Sequence, residues 1–229
     1  MLSVLRIILV LTVVAAARSG EAQLLAAQQA LGRGQGRSIT SGATTAPIAK
    51  PVRLTIGQGS RARYRVREQL AGISFPSDAV GTTEEVSGGI VVNPDGSVDA
   101  GRSKIVIGLR KLTSDQQMRD SYIQNRVLDT DHFPNIEFTP KRIVGFSGPM
   151  PATGQAGFQI VGDMTMHNVT VEATWNVIVT FRPDVVDGRA TASVTFDTFR
   201  LTKPSLARLL SVDDHIELEI EFHCQRGAL

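Results

Sequence analysis

A chain of 229 residues with 42% hydrophobic and 20% charged positions carries enough apolar material for one domain or two small ones, which excludes disorder throughout. Lysine and arginine number 24 against 22 acids, so a formal charge of +2 supplies no broad cationic face for nucleic acid. A single cysteine, Cys224, excludes an intramolecular disulfide framework, a cysteine-rich zinc module and a protein-ligated iron–sulfur cluster.

The chain opens with one positive charge at Arg6, followed by an uncharged run from Ile7 to Ala17 rich in Val, Leu, Ile and Ala. That run is too short for a hydrocarbon core that needs about 20 residues, and the small residues Ala17, Ser19, Gly20 and Ala22 follow it at once. The pattern predicts a secretory signal peptide over residues 1–22 and a periplasmic or secreted protein. Cleavage before Gln23 removes Arg6, Arg18 and Glu21 and lowers the formal charge from +2 to about +1. Residues 23–50 are dominated by Gly, Ser, Thr, Ala and Gln and predict a flexible leader. Within it, Gly32-Arg33-Gly34-Gln35-Gly36 is no phosphate-binding loop, because no strand precedes it and its third glycine falls one position early.

From Val52 onward the texture becomes alternation, which sends successive side chains to opposite faces of a strand. Ala62, Tyr64 and Val66 alternate with four arginines. Ile105, Ile107 and Leu109 form another run, Phe158 to Met166 a third and Ala190 to Phe196 a fourth. The clearest case is Val169, Val171, Ala173, Trp175, Val177, Val179 and Phe181, whose polar side is broken only by Ile178. Near the end, Ile216, Leu218, Ile220 and Phe222 alternate with Glu217, Glu219, Glu221 and His223. Turns are predicted at Asn93 to Gly96, Gly145 to Gly148, His167-Asn168 and Arg182 to Gly188.

One stretch departs from this period. Thr113-Ser114-Asp115 predicts an N-cap, and Gln116 to Leu128, free of Gly and Pro, places Met118, Tyr122, Ile123 and Val127 at helical spacing. Asp129 to Pro134 then stops the helix, and Asn135 to Phe138 resumes extended chain before Pro140. That apolar face either packs on the sheet or forms a lid that gates entry. Many strands and one substantial helix imply an all-β, antiparallel fold, either a barrel or a sandwich. Arg61, Arg63, Arg65 and Arg67 on the first good strand match Glu217, Glu219 and Glu221 on the last, so pairing between them would close the sheet. The two stripes could equally be solvated faces, or the arginines could touch an anionic membrane surface.

A barrel of about eight strands is either filled by its own side chains or holds one small ligand, and periodicity does not distinguish the two. The inward positions are almost entirely apolar, so any ligand they accept is apolar too. The lining expected from strand parity is Tyr64, Val66, Ile105, Ile107, Phe138, Phe158, Ile160, Met164, Val171, Trp175, Val177, Phe196, Leu218 and Ile220.

The segment Arg119 to Ile123, with Leu128-Asp129 and Phe133-Pro134-Asn135-Ile136-Glu137-Phe138, resembles the helix and following strand of the YceI-like family of polyisoprenoid-binding, mostly periplasmic proteins. Val161-Gly162-Asp163-Met164-Thr165-Met166-His167-Asn168-Val169-Thr170 is similar to that family's strand–turn–strand. Phe196 to Phe199 with Ser211 to Ile216 is similar to its final hairpin. The resemblance implies a roughly eight-stranded, lipocalin-like barrel over residues 51–226, followed by a tail at 227–229. It also implies an isoprenoid chain threaded through an apolar tunnel, with no catalysis and no cofactor. Asn168 stands where the family has glycine, a substitution that left-handed turn geometry tolerates.

The remaining chemistry is sparse. His132, His167, His215 and His223 are scattered singly, without spacing that gathers metal ligands. Gly145-Phe146-Ser147-Gly148 is not a nucleophile elbow, since Pro149 follows. The expected function is an exported, soluble carrier of an isoprenoid-type or similar long-chain lipid. The alternative is a stress-response or interaction barrel with a packed interior. The expected partners are the lipid, a membrane surface touched transiently and a second copy of the chain in a homodimer, with no nucleic acid.

Overall fold

The structure is a computed structural model that describes residues 50–229; the signal peptide expected over residues 1–22, the glycine-rich segment and the part of the expected leader before Lys50 lie outside the described residues. Ten strands follow in chain order: β1 (Val52–Ile56), β2 (Arg61–Leu70), β3 (Ser77–Thr83), β4 (Val86–Val92), β5 (Lys104–Gly108), β6 (Asn135–Val144), β7 (Gly154–Met166), β8 (Val169–Phe181), β9 (Val185–Thr195) and β10 (Leu209–Ala228). All pairings are antiparallel, in the order β1-β4-β5-β6-β7-β8-β9-β10, and β10 returns to β1. The ring is therefore closed.

Two staves of this barrel are bent strands. β1 and β2 run one after the other along the same edge of β10, with Ile56 opposite Cys224 and Arg61 opposite Glu221. The β3–β4 stave runs beside them, β3 against β2 and β4 against β1. The breaks at Gly57–Ser60 and Glu84–Glu85 thus turn ten strands into an eight-staved barrel, the count the sequence predicts. β10 continues to Ala228, opposite Val52, two residues past the boundary expected at Arg226.

The charge stripes do meet. Arg61, Arg63 and Arg65 stand opposite Glu221, Glu219 and Glu217, with Arg63 to Glu219 at 2.8 Å and Arg61 to Glu221 at 2.5 Å. Arg189 of β9 joins from the other side, 3.3 Å from Glu219 and 3.2 Å from Glu221. Such partly exposed pairs each contribute about 0.2–1 kcal/mol, so their main effect is to fix register where the ring closes.

β8 alternates as its sequence requires, with Ala173, Trp175, Val177, Val179 and Phe181 buried inside and Ile178 exposed outside. Its hairpin with β7 turns at His167 and Asn168, both at positive φ (49° and 62°), the geometry of a tight two-residue connection that asparagine tolerates.

Three local expectations are corrected. β6 does not end before Pro140 but runs through it to Val144, because the register with β7 shifts between Pro140 and Arg142; the bulge accommodates a residue that has no N–H to donate. The helix α1 is shorter, Gln117–Tyr122, continued by a π-helical turn over Ile123–Val127, and its N-cap is Gln116 without a side-chain cap. Ser114 instead donates its N–H and Oγ–H to Asp120 Oδ1, at 2.7 and 2.6 Å. Met118 projects into solvent, 84% exposed, so the apolar face of this helix is Tyr122, Ile123 and Val127.

Candidate lipid tunnel

The barrel interior holds two apolar chambers in series. The upper one, about 100 Å³, lies beneath the helix and is lined by six residues expected from strand parity, Tyr64, Val66, Ile107, Met164, Phe196 and Leu218, together with Ile123, Val127 and Leu128 from the helical segment. The lower one, about 90 Å³, takes Ile105, Phe138, Phe158, Ile160 and Val177 from the expected set, and adds Phe146, Phe181 and Phe222. Trp175 and Ile220 border both chambers and form the waist between them. Val171 lines neither; it packs half-buried against the core near the β7–β8 turn.

Each end is built differently. At the lower end, the turn between β6 and β7 folds inward, with Phe146 against Phe158 (ring centroids 5.4 Å apart) and Phe181 (6.3 Å). Arg226 ties that turn down by donating to the carbonyls of Pro151 (2.7 Å) and Met150 (3.0 Å). Aromatic rings thus narrow this end. The upper chamber instead continues, past Tyr64, Val66, Ile123 and Phe196, into a vestibule of about 1140 Å³ between α1, the β2–β3 loop and the segment before β10.

The vestibule mixes polar and apolar walls. Ile73, Met118 and Leu206 are exposed apolar residues on its rim, and Arg126, Arg208, Asp129 and Asp131 also line it. Glu68 continues the inward parity of Ala62, Tyr64 and Val66, so a carboxylate enters the barrel mouth, where it is buried and meets Arg119 of α1 at 2.7 Å. Arg119 also pairs with Asp115. Extending the β2 alternation by one step would have found Glu68, whereas its partner across 51 residues leaves no local trace.

At the waist, Phe138 packs edge-on to Trp175 at 6.1 Å, and the buried indole Nε1 has no hydrogen-bond acceptor among the described residues. Burial also acts on Cys224, which faces the lower chamber and whose thiol is pushed up to about 12. No group of three or more His, Cys, Asp or Glu side chains placed to hold a metal occurs among the described residues.

A closed eight-staved antiparallel barrel with an apolar bore, aromatic rings at one end and a helix across the other defines the chain as a lipocalin-like barrel protein. The YceI-like domain matches residues 57–224, and the chain belongs to that family. Among solved structures, a polyisoprenoid-binding domain from Saccharophagus degradans, described as implicated in plant cell wall breakdown, is similar with a TM-score of 0.60. It is 10% identical, and the match covers 76% of this chain and 98% of that one. BcnA from Burkholderia cenocepacia is similar at a TM-score of 0.52 and 16% identity, over 74% and 96% of the two chains. The YceI protein of Campylobacter jejuni is similar at 0.51 and 14%, over 69% and 90%. No curated protein matches the chain. At these identities the structural matches establish the fold.

Proposed function

We propose that the protein is an exported, non-enzymatic carrier that takes up a single long apolar chain, of isoprenoid or similar type, tail first through the vestibule. The observation that carries this reading is the succession of an open vestibule and two chambers with predominantly apolar walls, each sharing lining residues with the next. Each methylene or methyl group moved from water into that bore gains about 0.8 kcal/mol. The S. degradans neighbour, described as a polyisoprenoid-binding domain, supports the same chemistry. The exposed Ile73, Met118 and Leu206 around the entrance support loading at a membrane surface.

One observation favours the rival reading of a packed barrel. Chambers of about 100 and 90 Å³ lie below the roughly 300–1,000 Å³ of sites that enclose a whole small molecule, so a long chain fits only as side chains at the waist move apart. Native mass spectrometry of protein purified without detergent separates the two. A carrier retains an apolar mass that denaturation releases. Repeated absence of any such mass, with no change in Trp175 fluorescence on adding a long isoprenoid, would reject carriage.

A further inference from the structure

Of the eight large apolar side chains exposed among the described residues, five gather at the vestibule end: Ile73 and Phe75 on the β2–β3 loop, Leu206 and Leu210 just before and at the start of β10, and Met118 on α1. Phe75 and Leu210 are 78% and 66% exposed, and neither lines the vestibule, so a ligand seated there leaves both uncovered. Exposed apolar groups concentrated in this way mark a surface that something else covers.

The two segments that hold them out are stitched side by side. The Ala71 N–H donates to the Arg208 carbonyl at 2.8 Å, Leu70 stands opposite Leu209, and the Gln69 side chain donates to the Ile73 carbonyl at 2.5 Å. The register of β10 against β2 shifts between Leu209 and Ser211, and Leu210 is the residue that falls out of the ladder. Two neighbouring tips, each carrying exposed apolar side chains, therefore stand on hydrogen-bonded backbone.

Charge says what kind of surface fits them. The charged lining of the vestibule balances, with Arg119, Arg126 and Arg208 against Glu68, Asp129 and Asp131. Arg119 is held by Glu68 and Asp115, Asp129 pairs with His132, and on the strands below Arg65 and Arg67 share Asp78. No excess of one sign selects an anionic surface or a strongly charged protein face, so attraction has to come from the apolar tips. A second copy or a folded partner seated across both tips and Met118 would cap the vestibule that lies between them. A bilayer accepts the tips and leaves the entrance facing its acyl chains.

We propose that the vestibule end is a bilayer-docking surface, on which Phe75, Ile73 and Leu210 insert into a leaflet of neutral headgroups and hold the entrance against it. This rests on the carrier reading and names the surface from which the carrier loads.

The test places an indole at the tip of the full chain with Phe75→Trp and titrates it with phosphatidylcholine vesicles, plain and brominated in the acyl chains. The parent chain, whose Trp175 is buried at the waist, supplies the background. Because the run Ile7 to Ala17 is itself apolar, this local signal replaces whole-chain flotation as the readout. The new indole is expected to shift to the blue and to be quenched by the bromines. Adding Leu210→Asp should weaken the titration about tenfold, whereas adding Ile178→Asp, at the exposed position on the outer face of β8, should leave it unchanged. Raising the salt to about 1 M, where screening reaches only about 3 Å, should change little. An indole that stays water-like beside vesicles, or binding confined to phosphatidylglycerol vesicles and lost in salt, would overturn the proposal. So would a blue shift that needs no vesicles and grows with protein concentration, which would put a second copy on this surface. Any of these results alongside an apolar mass retained in native mass spectrometry would leave carriage standing, and docking without such a mass would reject carriage alone.

Discussion

Arg119 on α1 and Glu68 on β2 are joined by a 2.7 Å ion pair, with side chains 14% and 9% exposed, so a charge pair clamps the helix over the barrel mouth. Glu68→Gln removes the charge but not the acceptor, and Arg119 keeps Asp115. The expected loss is about 1–2 kcal/mol, which lowers the melting temperature by roughly 2–8 °C for a domain of this size. If the helix is a lid, the same variant takes up ligand faster in stopped-flow fluorescence. A lower melting temperature with unchanged uptake would assign the helix to packing alone.

Ile220 and Trp175 border both chambers, so bulk added at Ile220 should close the waist without touching the vestibule. Ile220→Phe is expected to weaken binding of chains long enough to pass the waist and to spare short ones. Overpacking of this kind also costs about 1–3 kcal/mol of stability. An affinity series over chain length checks it, since equal losses for short and long chains would mean that the chambers are not filled in sequence.

Cys224 lies inside the barrel wall opposite Ile56, and burial first, then Asp187, raises its thiol to about 12 from an ordinary 9.0. The native protein should therefore resist iodoacetamide at pH 8 and react fully once unfolded. Because the folded-state value is the raised one, the stability linked to this thiol is intact below pH 9.0 and is lost as the pH climbs toward 12. Urea unfolding across that window should show the decline, and Cys224→Ala should flatten it, leaving the part due to Tyr64, which begins near 10.0.

Closure of the barrel was legible because two stripes of opposite charge, Arg61 to Arg67 and Glu217 to Glu221, repeat with the period of a strand and so carry a long-range pairing in a local pattern. Lumen-facing parity was legible for the same reason: thirteen of the fourteen expected lining residues fall on the two chambers. Val171 missed because parity assigns a face but not a depth, and it lies near the β7–β8 turn. Met118 missed because helical spacing yields an apolar stripe wider than the face a single short helix can bury. Pro140 could not be placed from sequence, since a proline at a bulge and a proline ending a strand look alike until the partner's register is known. The Glu68–Arg119 clamp and the waist depend on side chains converging from distant staves, which no single stretch of sequence records.

The ring is not equally stitched along its length. β4 is laddered to β5 from Val86 to Gly89, but above it β3 meets the chain beyond β5 through Thr82 and Thr113 alone, and from Ser77 to Gly81 its far edge has no backbone partner among the described residues. The upper wall therefore has a vertical slit, bounded by the helical segment, where widening would break few main-chain bonds. A branched chain too thick for the resting bore could wedge this cuff apart near the entrance while the fully laddered lower half kept its shape.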